Sequence, residues 1–155
     1  GWYRFDGDGN MQSGWICDEM GKWYYCNTEK EGNYGRMATG WKQVDGAWYY
    51  LGKSGPMLKG WQKVGGSWYY LKGSGAMATG WQKVDGVWYY LKSSGAMATG
   101  WQKVDGQWYY LATSGAMAKS QWVGNYYLTG SGAMATNTWI GKYHVNAAGV
   151  WDQTR

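Results

Sequence analysis

The sequence predicts an all-β protein, a repeat solenoid of stacked β-hairpins, from three observations. Trp41, Trp61, Trp81 and Trp101 recur every 20 residues, and Trp48, Trp68, Trp88 and Trp108 keep the same step, as do Met57, Met77, Met97 and Met117. A fixed short period of this kind marks an array of one small structural unit. Within the unit Gly80 to Thr99, "GWQKVDGVWYYLKSSGAMAT", two β-favouring runs flank Asp85-Gly86, a pair that tolerates the positive φ of a two-residue hairpin turn. Glycine every few residues, 27 in a chain of 155, argues against helix anywhere.

Taken in order, residues 1–14 read as a partial repeat, because "WYRFDGDGNM" looks like the second half of a unit whose first half is absent. A longer parent protein is expected, with a signal peptide or another domain upstream. Residues 15–120 are hairpin repeats of about 20 residues. The first has a longer hairpin loop, "CDEMGK", and a longer connecting loop, "NTEKEGNYGRM". Residues 121–155 are degenerate: "SQWVGNYYLTGSGAM" keeps Trp122 and Tyr126-Tyr127 but loses the second Trp, and "NTWIGKYHVNAAGVW" has His144 where a second Tyr would stand. They are expected to cap the array or to offer a different contact surface, since terminal repeats are commonly atypical.

With Asp45-Gly46 as the turn, Val44 faces Ala47, Gln43 faces Trp48 and Trp41 faces Tyr50. Trp41, Trp48 and Tyr50 then share one face of the hairpin, and Val44, Tyr49 and Leu51 the other. A lone two-stranded hairpin is marginal in water, so the aliphatic face is expected to be buried against neighbouring units.

The aromatic face points beyond packing. The chain carries 14 Trp and 15 Tyr beside one Phe, whereas a core built for burial alone favours Leu, Ile, Val and Phe. Indole walls, a phenol and a thioether, with no acid on the same face, suit a quaternary ammonium, whose diffuse charge is attracted to aromatic faces by about 0.5 to 2 kcal/mol per contact. A glycan is the rival ligand, although sugar sites usually add fixed carboxylates or amides. A purely structural or protein-interaction scaffold is the rival of another class. Single-stranded nucleic acid ranks lower, because the net charge is only +5 and the basic residues form no stripe. No apolar run approaches the roughly 18 residues of a membrane helix, so membrane insertion is not expected.

Catalysis finds few candidates. His144 stands in a degenerate unit as a substituted tyrosine, and Asp45, Asp85 and Asp105 occupy turn positions that favour short polar side chains. Asp18 and Glu19 fall in a turn, and Glu29 and Glu31 in the long loop. Cys17 and Cys26 lie on opposite faces of one hairpin and lack the further ligands of a structural zinc site; whether they pair is left open. No enzyme activity, cofactor or metal is expected.

The run "TGWQKVDGVWYYLKSSGAMATGW" resembles the repeat of the choline-binding modules of pneumococci and their phages, found in autolysins, phage lysins and choline-anchored surface proteins. The resemblance covers nearly the whole chain. It implies a left-handed superhelix of hairpins that binds choline or phosphocholine of teichoic and lipoteichoic acids in grooves between hairpins, and so a secreted protein held on the bacterial surface. It also implies cages of two Trp from one repeat and a Tyr from the next, with a Met lining each. By motif position these are Trp15, Trp23 and Met37 with Tyr50; Trp41, Trp48 and Met57 with Tyr70; and Trp61, Trp68 and Met77 with Tyr90. Trp81, Trp88 and Met97 with Tyr110, and Trp101, Trp108 and Met117 with Tyr127, complete the set. Lys63 and Lys83 stand where they could meet the phosphate.

Overall fold

The structure, a computed structural model, describes residues 1–29 and 33–155; Glu31 lies outside the described residues. It comprises two compact units, Gly1–Ala78 and Thr79–Arg155. The first holds three antiparallel hairpins, formed by β1 (Gly14–Cys17) with β2 (Trp23–Cys26), β3 (Gly40–Val44) with β4 (Ala47–Leu51), and β5 (Gly60–Val64) with β6 (Ser67–Leu71). The second holds β7 (Gly80–Val84) with β8 (Val87–Leu91), β9 (Gly100–Val104) with β10 (Gln107–Leu111), and β11 (Gln121–Val123) with β12 (Tyr126–Leu128). It ends in a three-stranded sheet of β13 (Thr138–Ile140), β14 (Tyr143–Val145) and β15 (Trp151–Thr154). No helix occurs among the described residues, and the all-β hairpin repeat expected from the sequence is what forms.

The turns fix the register. Asp45, Asp85 and Asp105 each have φ 50°, and Gly46, Gly86 and Gly106 follow at 80–81°. Positive φ at both central residues is the turn whose twist matches a right-twisted ribbon. Trp41 therefore lies opposite Tyr50 and Gln43 opposite Trp48, with the equivalent pairs in β5–β6, β7–β8 and β9–β10. In the first hairpin Asp18 organises the longer loop instead. Its carboxylate accepts hydrogen bonds from the amides of Met20 and Lys22, at 2.9 and 2.8 Å, and from the Tyr24 hydroxyl at 3.2 Å. The Lys22 amide bond is the main cause that lowers its pKa; partial desolvation opposes it, and the Tyr24 and Met20 bonds and the Arg4 charge act the same way as Lys22.

Packing concentrates on one residue per hairpin. Leu51 and Leu71 in the first unit, and Leu91, Leu111, Leu128 and Val145 in the second, are fully buried. Full burial of such a side chain is worth roughly 1.5–3 kcal/mol. Cys26 occupies the same position in the first hairpin and is equally buried. Val44, at the turn end of its hairpin, is only half-buried, so the interior is narrower than the whole aliphatic face. The connecting loops explain this: each folds back at the end remote from the turn, where Leu51 bridges Met57 and Leu91 bridges Met97. Cys17 is exposed, Cys26 is buried, and both are free thiols on opposite faces.

Candidate functional site

Strand alternation divides the aromatics of each repeat between two neighbours. The second Tyr of each Trp-Tyr-Tyr shares a face with both indoles of its own hairpin, and its ring meets the first of them. Trp15–Tyr25, Trp41–Tyr50, Trp61–Tyr70, Trp81–Tyr90 and Trp101–Tyr110 have centroids 5.0–5.2 Å apart. The first Tyr stands on the opposite face and meets the preceding hairpin. Tyr49 lies 4.8 Å from Trp15, Tyr69 4.9 Å from Trp41, Tyr109 4.8 Å from Trp81 and Tyr126 5.2 Å from Trp101, each near perpendicular.

The methionine also reaches back one repeat. The Met57 amide donates to the Trp23 carbonyl at 2.7 Å, Met77 to Trp48 at 2.7 Å, Met117 to Trp88 at 2.8 Å and Met134 to Trp108 at 2.8 Å. On its far side each thioether lies against a glycine of the following loop. A Cβ at Gly75 would collide with Met57, one at Gly132 with Met117 and one at Gly149 with Met134; all three glycines have φ near 80–90°. The side chain is thus held between an indole and a backbone that admits no larger residue.

Three cavities result. Trp15, Trp23, Tyr49 and Met57 enclose about 320 Å³ with Ser74 at the rim, and Trp81, Trp88, Tyr109 and Met117 about 300 Å³ with Ser131. Trp101, Trp108, Tyr126 and Met134 enclose about 390 Å³ with Ala148. Each draws on three successive repeats, and no carboxylate lines any of them among the described residues. Trp41, Trp48, Tyr69 and Met77 repeat the arrangement within the first unit. The second indole of each set is 38–41% exposed in Trp23, Trp48, Trp88 and Trp108, which leaves one ring surface open that a packing residue would have buried. Lys83 and Lys103 Nζ lie 5.9 and 6.0 Å from the centroids of Trp88 and Trp108, and Lys63 lies 6.0 Å from Trp68.

The Trp pairs are grouped as expected, whereas their partners are shifted. Tyr50, Tyr70, Tyr110 and Tyr127 do not complete the cages of the preceding hairpins; Tyr49, Tyr69, Tyr109 and Tyr126 do. The register is right, and the error lies in the face: a tyrosine that looks backward must stand opposite its own indoles. Met37, Met57 and Met117 likewise give way to Met57, Met77 and Met134 in the sets of Trp15, Trp41 and Trp101, and Met117 replaces Met97 in that of Trp81. The reason is the back-reaching amide. Met37 instead bonds the Trp2 carbonyl at 2.7 Å. The expected set of Trp61, Trp68, Met77 and Tyr90 takes residues from both units. Within its own unit each departs from the expected role, Met77 bonding Trp48 and Tyr90 pairing with Trp81. Met134 escaped notice because it lies in a degenerate repeat.

His144 takes the place of the second Tyr, 5.1 Å from Trp139, with Nδ1 2.6 Å from the Asp152 carboxylate. No cluster of metal-ligating side chains occurs among the described residues.

An all-β array with an acid-free aromatic cavity at successive hairpin junctions defines a ligand-binding repeat module. The chain belongs to the choline-binding repeat family: choline-binding repeat models match residues 38–79, 78–122 and 116–151, and a putative cell wall binding repeat matches 13–29. Choline binding protein F of Streptococcus pneumoniae is 41% identical over 97% of this chain and 61% of its own, with a TM-score of 0.74. The choline-binding domain of CbpL from the same organism is 38% identical over 99% of this chain and 93% of its own, TM-score 0.72. The modular autolysin LytC of S. pneumoniae, in complex with a synthetic peptidoglycan ligand, is 37% identical over all of this chain and 36% of its own, TM-score 0.78. The chain thus spans about three fifths of choline binding protein F and about a third of the autolysin. No curated protein sequence matches it. It is a cell-wall choline-binding module of β-hairpin repeats, non-catalytic in itself.

Proposed function

We propose that the module anchors a secreted parent protein to the bacterial surface by capturing choline groups of teichoic and lipoteichoic acids, one per cavity. The observation that carries this reading is the recurring set of two indoles, a phenol and a thioether with no carboxylate. A quaternary ammonium cannot donate a conventional hydrogen bond, so aromatic faces hold it better than polar groups do. Lys63, Lys83 and Lys103, beside the second indoles, are placed to meet the phosphate of phosphocholine. A glycan would need groups that read its hydroxyls, and at most a serine stands at each rim. The peptidoglycan ligand of the LytC complex supports a wall setting for the family. Retention on a tertiary-amine resin with elution by free choline tests the reading. Displacement by oligosaccharide alone would favour the glycan, and failure to bind the resin would favour a scaffold.

A further inference from the structure

The degenerate end of the chain closes on a cavity of about 280 Å³ lined by Trp122, Gly124, Asn125, Tyr143 and Trp151. Hairpin β11–β12 has lost its second indole, so a cage of the preceding kind cannot form there. The structure replaces it from another direction. The Trp151 amide donates to the Asn125 carbonyl at 2.8 Å, the same back-reaching bond that Met134 makes to Trp108 one repeat earlier. Trp151 thus stands where a methionine stands in the other repeats and brings an indole instead of a thioether. Tyr143, the first aromatic of its pair, meets Trp122 at 5.8 Å and 84°, and Trp151 at 5.7 Å and 86°. Two indoles both perpendicular to one phenol make three sides of a box. The Trp151 ring is fixed by its Nε1, which donates to the Gln153 carbonyl at 3.0 Å and lies 3.3 Å from the Thr154 hydroxyl, yet the residue is 45% exposed. Lys142 Nζ lies 5.3 Å from the Tyr143 centroid without lining the cavity, so the ring already attracts a cation.

We infer that Trp122, Tyr143 and Trp151 form an additional quaternary-ammonium site, in which a tryptophan from the last strand replaces both the missing indole and the methionine. This rests on the choline reading of the other cavities. Asn125 adds what those cavities lack, an amide at the wall, next to where the hydroxyl or phosphoester end of the head group would emerge.

The test is ¹⁹F NMR of the whole chain labelled with 5-fluorotryptophan, titrated with choline chloride, the signals of Trp81, Trp88, Trp122 and Trp151 being assigned by single Trp→Phe variants. All four signals should shift. Trp151→Met, which installs the residue used at the equivalent position elsewhere, should weaken the Trp122 response at least tenfold and leave Trp81 and Trp88 unchanged. Tyr143→Ala should act in the same way if the Met variant perturbs β15. Shifts at Trp81 and Trp88 without shifts at Trp122 and Trp151 would overturn the terminal site while sparing the choline reading. Shifts at none would overturn that reading itself. A terminal response to a tetrasaccharide but not to choline would overturn the assigned ligand class.

Discussion

Tyr109 and Tyr110 are chain neighbours with different tasks, because successive side chains of a strand point to opposite faces. Tyr110 pairs with Trp101 of its own hairpin, and Tyr109 closes the cavity of Trp81 and Trp88 in the preceding one. Tyr109→Ala should therefore remove one choline site per chain in calorimetric titration, each site being near millimolar, about 4 kcal/mol at that affinity. Tyr110→Ala should keep the number of sites and lower stability, by about 0.5–1.5 kcal/mol for the lost ring pair beyond its area. Loss of a site in the second variant and not the first would reverse the assignment. At this scale the sequence is legible for the indoles, whose 20-residue step is unambiguous, and for the face on which each Tyr lies. It is not legible for partner choice, since alternation within one hairpin does not say which of its faces meets the hairpin before it. The methionines hide for a related reason: they follow one hairpin in sequence while their amides bond the previous one.

Hairpins were readable because Asp-Gly and Gly-Gly accept a turn that few other pairs tolerate, and the turn sets every cross-strand pair behind it. The loop glycines carry a second message that spacing alone does not disclose, namely that a thioether is packed on them. Gly132→Ala should strain a φ of +89° and push Met117 into the cavity of Trp81, Trp88 and Tyr109. Both melting temperature and choline occupancy of that cavity should fall, and unchanged occupancy in a folded variant would show that Met117 is no part of the wall. The first hairpin offers a pH test instead. Asp18 has a folded pKa below its ordinary value of 3.8, so its contribution is present above that value and is lost as pH falls through the lower folded value. The melting-temperature gap between the parent chain and Asp18→Asn should be open near neutral pH and close in acid. A gap constant with pH would mean that the carboxylate charge does not matter to the loop.

For the molecule as a whole, repetition converts weak capture into anchoring. Teichoic acid presents many cholines on one chain, so after the first is bound the next arrives at high effective concentration, and combined affinity can exceed that of one site by ~10² to 10⁴. The family's repeat character is plain in the sequence, whereas the terminal repeats look deficient there, because Trp151 stands 29 residues from Trp122 and outside the period of the other indoles. Only the back-reaching bond to Asn125 brings it to the cavity. Co-sedimentation with purified cell walls carrying either choline or ethanolamine tests the central claim most directly. An ethanolamine head group is a strongly hydrated primary ammonium that donates hydrogen bonds, and it gains less from aromatic walls than its trimethylated counterpart. The chain should pellet with choline walls, be released by free choline, and stay in solution with ethanolamine walls. Equal binding to both would mean that another surface of the chain, and not its aromatic cavities, holds it to the wall.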